Sequence, residues 1–155
     1  MTDYTMIYAK LDAMLQGETH ALSCMANVAA LLGEDIEDIN WAGFYIMHKG
    51  ELLLGPFYGK VACMHISLDK GVCGAAAKQD EIQMVRDVHD FAGHIACDSA
   101  SQSEIVLPLH ADGKVVAVLD IDSPYIARFN SDDKAGLYRI ATLLESRLCL
   151  TDLKY

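Results

Sequence analysis

The sequence predicts an α+β fold in which helices pack on one face of an antiparallel sheet. Three observations lead there: apolar residues recur at helical spacing at both ends of the chain, two hairpin signatures lie between them, and the stretch separating the hairpins is irregular. The sheet face left free of helices, topped by that irregular stretch, is the natural place for a ligand pocket.

Ile7, Leu11, Met14 and Leu15 predict a first helix and Leu22, Met25, Ala29 and Leu32 a second, with Gly17 between them and Gly33 as the expected C-cap. From Ile39 the run INWAGFYIM is rich in β-branched and aromatic residues, and Lys49-Gly50 leads into Glu51 to Phe57, so a hairpin follows. Trp41, Gly43, Tyr45 and Met47 then share one strand face, with Ala42, Phe44 and Ile46 on the other. Gly59 to Ala100 is the irregular middle: four glycines, an Ala75-Ala76-Ala77 stretch with helical character, and three of the five cysteines. Loops on a rigid scaffold are where chemistry concentrates. Glu104 to Leu109 and Val115 to Asp122 flank His110-Ala-Asp-Gly113, and an Asp-Gly turn is a strong hairpin signal. In the later strand Val116, Val118, Asp120 and Asp122 alternate with Val115, Ala117, Leu119 and Ile121, so two carboxylates end one face. Beyond Pro124, Ser131-Asp132-Asp133 is the expected cap of a last helix with the stripe Leu137, Ile140, Leu144 and Leu148.

A chain of 155 residues suits one domain. Its 22 acidic against 12 basic side chains, a net charge of −10, argue against nucleic acid or anionic lipid as partner, since both need a basic footprint. The opening MTDYTMIYAK lacks a secretory layout and no apolar run approaches the ~20 residues that span a bilayer, so a cytoplasmic location is expected. In that reducing compartment thiols are buried fillers, metal ligands or transient redox participants. Cys63, Cys73 and Cys97 are separated by 10 and 24 residues (73 − 63 and 97 − 73) and form no C-x-x-C pair, which makes structural zinc unexpected. His89 and His94, five apart with Gly93 between, do not predict a metal site either. No metal is expected.

Cys97 lies in the small polar segment HIACDSASQSE immediately before a strand, and Cys63 and Cys73 also sit beside glycine in loop-like contexts. A nucleophilic and a resolving thiol together permit disulfide chemistry through an oxidised intermediate. Cys24, within the second helix, reads as a buried inert thiol, and Cys149, beside the last stripe, as structural or merely surface. A thiolate is disfavoured near Glu104, Asp120 and Asp122, so these carboxylates suit other tasks: holding an ammonium group, or donating a proton where one has a raised pKa. Asp120 and Asp122 also fit a plainer role, ending a strand before the Ser123-Pro124 turn. Trp41 and Tyr45 suit the core or an aromatic wall beside those carboxylates, fitted to a small ligand with a methyl-bearing end and an amino end.

These residues belong to a set of motifs: N-W-A-G-F-Y at 40–45, G-P-F at 55–57, A-C at 62–63, G-V-C-G at 71–74, D-V-H-x-F-x-G-H-I-A-C-D from Asp87 to Asp98, S-E-I-V-L-P at 103–108 and L-D-I-D-S-P at 119–124. Together they resemble the free methionine-R-sulfoxide reductases, stand-alone GAF domains, over nearly the whole chain. The resemblance implies a GAF-like six-stranded antiparallel sheet within a single domain, 1–155. It implies that Cys97 attacks the sulfoxide sulfur and Cys63 resolves, with Cys73 as an alternative or second resolver. Trp41 and Tyr45 would surround the methyl-sulfur end, and Glu104, Asp120 and Asp122 the sulfoxide oxygen and amino group. It further implies thioredoxin as electron donor, fed by NADPH through thioredoxin reductase, no bound cofactor, and a homodimer. A lid from Gly59 to Gly74 is the candidate for closing the pocket. The alternative on the same fold is a small-molecule-sensing GAF module whose cysteines respond to oxidation without turnover; the three thiols together with the D-I-D-S-P strand end favour the enzyme.

Overall fold

In the computed structural model, which describes residues 1–94 and 99–153, the two N-terminal apolar runs form helices α1 (Tyr4–Leu15) and α2 (Ala21–Asp35). Asp3 caps α1 by accepting the Met6 N–H at 3.0 Å. Ile7, Leu11 and Leu15 on α1 and Cys24, Met25, Val28, Ala29 and Leu32 on α2 are buried. Leu22 is exposed, contrary to the periodic reading, and Ala21 takes the inward position. Gly33 does not cap α2, which runs on to Asp35 with Ile36 as C-cap. It admits the Tyr58 ring, one carbon of which lies 2.2 Å from where a Cβ would stand.

Six strands follow: β1 (Trp41–His48), β2 (Glu51–Gly59), β3 (His65–Ser67), β4 (Gln83–Val85), β5 (Ser103–Ala111) and β6 (Lys114–Ser123), in the order β3-β2-β1-β6-β5-β4 and antiparallel throughout. Both predicted hairpins form on two-residue turns whose central residues have positive φ, Lys49 and Gly50 in one and Asp112 and Gly113 in the other. That geometry matches the right-handed twist of the flanking strands. The irregular middle contributes β3, β4 and helix α3 (Gly71–Gln79), which contains the alanine stretch. Cys73 therefore lies in a helix and not in a loop. Three-residue strands are too short to leave an alternating pattern, and they act as edges that lengthen the sheet.

The two sheet faces have different jobs. Ala42, Phe44, Ile46, Ile105, Leu107, Leu109, Leu119 and Ile121 join α1, α2 and the last helix, α4 (Ser131–Arg147), in the main core. On the other face Trp41, Tyr45, Leu52, Val106 and Val118 pack under α3 with Val72, Cys73 and Ala76. The alternation read along β6 breaks at one place. Leu109 pairs with Ala117 but His110 pairs with Val115, so Val116 is an extra residue at a bulge. As a result Val116 packs toward the main core and Val115 toward the α3 side, the reverse of the simple pattern.

Helix α4 starts one residue earlier than the acidic pair suggests. Asn130 is its cap, accepting from the Asp132 and Asp133 N–H groups, while the Asp133 carboxylate accepts from the Asn130 N–H at 2.9 Å. Asp133 also accepts from Arg128 and from the Tyr4 hydroxyl, tying α1 to the start of α4. Among the described residues no helix is long and apolar enough to cross a membrane.

Candidate active site

Strand register alone gathers the carboxylates. Asp122 on β6 stands directly opposite Trp41 on β1 and Glu104 on β5, and Asp120, two residues along, stands opposite Gly43 and Val106. Residues directly opposite on antiparallel strands have Cβ atoms only ~5 Å apart. All of these point to the face away from α1, α2 and α4, where α3 roofs them. The space between is a pocket of ≈ 570 Å³, open mouth included, lined among others by Trp41, Tyr45, Cys73, Glu104, Asp120 and Asp122.

One wall is aromatic. The Trp41 ring stacks on Tyr45 at 5.9 Å and on Phe57 at 5.4 Å. Gly43 makes this possible, because a Cβ there would lie 2.4 Å from the Phe57 Cβ and 2.7 Å from the indole. Between Gly43 and Tyr45 the β1–β2 register shifts by one residue, at Gly55-Pro56, which is how Phe57 comes to face Gly43. The polar ends of the wall hold the next segment in place. Trp41 Nε1–H donates to the Lys60 carbonyl at 3.1 Å and the Tyr45 hydroxyl to the Cys63 carbonyl at 2.9 Å. Val61 and Ala62, between those anchors, line the pocket. Trp41 and Tyr45 thus serve both of the roles open to them: they are buried, at 3% and 2% exposure, and they face the site.

The floor is acidic and buried. Glu104 and Asp120 are 7% and 5% exposed. Burial first, then the neighbouring Asp120 and Asp122 charges, push the Glu104 carboxyl well above its ordinary 4.5. Burial raises Asp120 as well, while a hydrogen bond from Glu104 favours its charged form. Both carboxyls are thus raised by burial, Glu104 the more strongly, and they titrate as a pair. The Cys73 Sγ–H points at Glu104 Oε1 at 3.9 Å, and burial, followed by the neighbouring acidic groups, raises this thiol well above its ordinary 9.0. Asp120 Oδ1 is buried with no hydrogen-bond partner. No Lys or Arg is among the described residues lining the pocket, and His94, which does line it, is itself lowered by burial. The arrangement offers a proton donor, an unanswered negative charge and an apolar wall within one small volume.

Of the other thiols, Cys63 is engaged in a disulfide, whereas Cys24, Cys73 and Cys149 are free. Cys24 belongs to the main core and Cys149 is exposed near the C-terminus, both outside the site. Cys97 lies outside the described residues.

A comparison with known proteins agrees with this construction. The GAF domain family matches residues 25–147. The free methionine-R-sulfoxide reductase of Escherichia coli is 49% identical over 154 residues, covering 97% of this chain and 93% of that protein. This chain belongs to the free methionine-R-sulfoxide reductase family. Among solved members of the family, fRMsr of Staphylococcus aureus in its reduced form superposes with a TM-score of 0.93 at 44% identity, over 95% of this chain and 96% of that one. The Neisseria meningitidis free methionine-R-sulfoxide reductase, solved with its substrate, superposes with a TM-score of 0.90 at 39% identity, over 93% and 87% of the two chains.

Two pocket residues and one glycine of the aromatic wall are not singled out by the sequence. His94 lies within the D-V-H-x-F-x-G-H run, where its spacing from His89 suggests nothing beyond an unlikely metal pair; it lines the pocket and packs edge-on against His89. Ser101 lines the pocket and accepts from the Asn40 side chain at 3.3 Å. Gly43, in N-W-A-G-F-Y, matters for the side chain it lacks, and its only sequence signal was a glycine inside a strand.

Proposed function

We propose that this protein reduces free L-methionine-(R)-S-oxide to L-methionine. The observation that carries the reading is the buried Glu104–Asp120 pair, set between a thiol-bearing helix and the Trp41–Tyr45 wall. The substrate's S-methyl group rests on Trp41, and its ammonium group meets Asp120 and Asp122. Cys97 attacks the sulfoxide sulfur while Glu104 protonates the oxygen, which turns a poor leaving oxygen into a hydroxyl. Attack joins the Cys97 sulfur to the substrate sulfur and turns its S=O into S–OH; the hydroxyl then passes to the Cys97 sulfur as the substrate S–O bond and the new S–S bond break, so methionine leaves, Cys97 is left as a sulfenic acid, and the thiol proton restores Glu104. Chain connectivity supports Cys97 in this role, since it is three residues from His94 and four from Ser101 (97 − 94 and 101 − 97), and both line the pocket.

Cys63 then condenses with the sulfenic acid, releasing water and forming a disulfide. Support comes from Cys63 being disulfide-bonded and from its backbone being anchored to Tyr45. Cys73 is the second candidate resolver. A dithiol reductant of the thioredoxin class, itself reduced by NADPH through thioredoxin reductase, reopens the disulfide; no bound cofactor enters the cycle. We place this activity in the cytoplasm, as protection against methionine oxidation, in a homodimer. Preference for the free amino acid follows from charge. A peptide amide in place of the ammonium would leave Asp120 buried and unanswered, at a cost of several kcal/mol.

Thioredoxin-coupled NADPH oxidation, measured separately with the R and S epimers of free methionine sulfoxide, tests the proposal. Turnover of the R epimer alone is expected. A reduced protein that binds the R epimer without turning it over would instead be a sensor module.

A further inference from the structure

The pocket floor has the geometry of a cation site. Cys73 Sγ and one carboxylate oxygen each from Glu104 and Asp120 lie within 4.8 Å of one another. The Sγ to Oε1 distance is 3.9 Å. A tetrahedral zinc ion with Zn–S of about 2.3 Å and Zn–O of about 2.0 Å sets its sulfur and oxygen ligands roughly 3.5 Å apart, so that edge is nearly formed. The second observation is independent of the clustering. Asp120 Oδ1, on a side chain that is only 5% exposed and lines the pocket, is an acceptor with no partner. Buried acceptors of that kind are ordinarily satisfied.

We propose that Cys73, Glu104 and Asp120 bind one divalent cation of the zinc class, leaving its fourth position open to the pocket, and that this cation competes with ammonium-bearing ligands for the same floor. The donor set selects the metal. One thiolate with two carboxylates suits borderline-soft Zn²⁺ or soft Cd²⁺, whereas Ca²⁺ and Mg²⁺ require six or more oxygen donors. Binding releases the Cys73 S–H proton and the Glu104 carboxyl proton to the buffer, and the pair of positive charges replaces them. The ligands need no new backbone arrangement, because β5 and β6 are paired through Glu104 and Asp122 and Cys73 is fixed on α3. The site stands whether or not the protein turns over a sulfoxide, since it requires only the free Cys73 thiol and the two carboxyls.

Cd²⁺ titration of the full-length oxidised protein, in which Cys63 is committed to its disulfide, tests the site through the ultraviolet cadmium–thiolate charge-transfer band. One equivalent is expected to bind with a single-thiolate band, and Zn²⁺ to displace it one for one. Cys73→Ser should abolish the band; Asp120→Asn and Glu104→Gln should keep it but weaken binding by about 10- to 100-fold. Cys24→Ser and Cys149→Ser should change nothing. The proposal is overturned if the band survives in Cys73→Ser, or if neither carboxyl variant weakens it. Far-ultraviolet circular dichroism of each metal-free variant guards against misfolding. Should Cys73→Ser fail that check, the two carboxyl variants decide alone. Loss of R-epimer turnover with metal binding intact would count against the reductase reading only.

Discussion

Glu104→Gln isolates the proton that the mechanism needs. Glutamine keeps the volume and hydrogen-bonding length of the side chain, and because burial raises the Glu104 carboxyl, glutamine stands in for its neutral form. What disappears is the transferable proton. General acid catalysis contributes ~10²–10⁴-fold, and a donor fully enclosed beside the leaving oxygen belongs near the middle, a fall of about 10³-fold or roughly 4 kcal/mol in the chemical step. Methionine release in a single turnover of pre-reduced protein reads that step without interference from recycling. The pH dependence adds a second check. Activity should fall as pH rises through the Glu104 pKa, and Asp120→Asn, by removing the neighbouring negative charge, should move that alkaline limb to lower pH. Folding linkage runs the same way. A carboxyl raised in the folded state contributes stability that is complete below its unfolded pKa of about 4.3 and is lost as pH rises through the folded value, so Glu104→Gln should be stabilised relative to the parent at alkaline pH. A Gln variant within threefold of the parent at the first turnover would refute the assignment of Glu104 as the acid.

Two further outcomes follow from the same structure. Gly43→Ala places a Cβ against Phe57 and the indole, so it should destabilise the fold by ~1–3 kcal/mol, shift the emission of Trp41, the only tryptophan, and raise KM more than it lowers kcat. At the far end of the sheet His110 bridges Glu145 at 2.7 Å and Asp80 at 2.5 Å. Burial opposes its charge, but the two carboxylates prevail and raise its pKa. Its contribution to stability is therefore complete below pH ~6.5 and lost as pH rises through the raised value. Denaturant unfolding across that range should show the decline in the parent and not in His110→Gln.

The fold was legible where patterns were long. The two hairpins, the helical ends and the face holding Trp41, Gly43 and Tyr45 all follow from periodicity and turn chemistry, because sheet faces alternate strictly along a strand. Reading failed where a single residue resets the count. The bulge at Val116 exchanges the faces of Val115 and Val116, and nothing in a run of valines marks it. Gly33 was read by residue type as a cap, although tertiary contact with Tyr58 is what requires it. The candidate site divides in the same way. Asp120 and Asp122 are visible as charges on an otherwise apolar face, but their juxtaposition with Glu104 depends on β5–β6 register, and the upward shift of its carboxyl depends on burial that no local sequence feature encodes.

The division of labour proposed for Cys63 and Cys73 rests on their surroundings. A resolving thiol must reach the sulfenic acid and attack as a thiolate, and attack is fastest when its pKa lies near the ambient pH. Cys73 sits on a helix, is 4% exposed and faces Glu104 and Asp120, so burial and the neighbouring acidic groups raise its thiol well above its ordinary 9.0. Cys63 lies outside any helix or strand, between the Tyr45 anchor and β3, with neighbours Val61 and Met64 at 87% and 71% exposure. A segment of that kind is also open to a dithiol reductant. Cys63→Ser should therefore release one methionine at the parental rate but stop thioredoxin-driven recycling, while Cys73→Ser should recycle and instead show a raised KM, because it alters the pocket floor. Disulfide mapping after one turnover gives the direct readout. If Cys73→Ser stops recycling while Cys63→Ser sustains it, the roles are reversed, and α3 must then unwind to deliver Cys73, a movement that hydrogen exchange across Gly71–Gln79 would register.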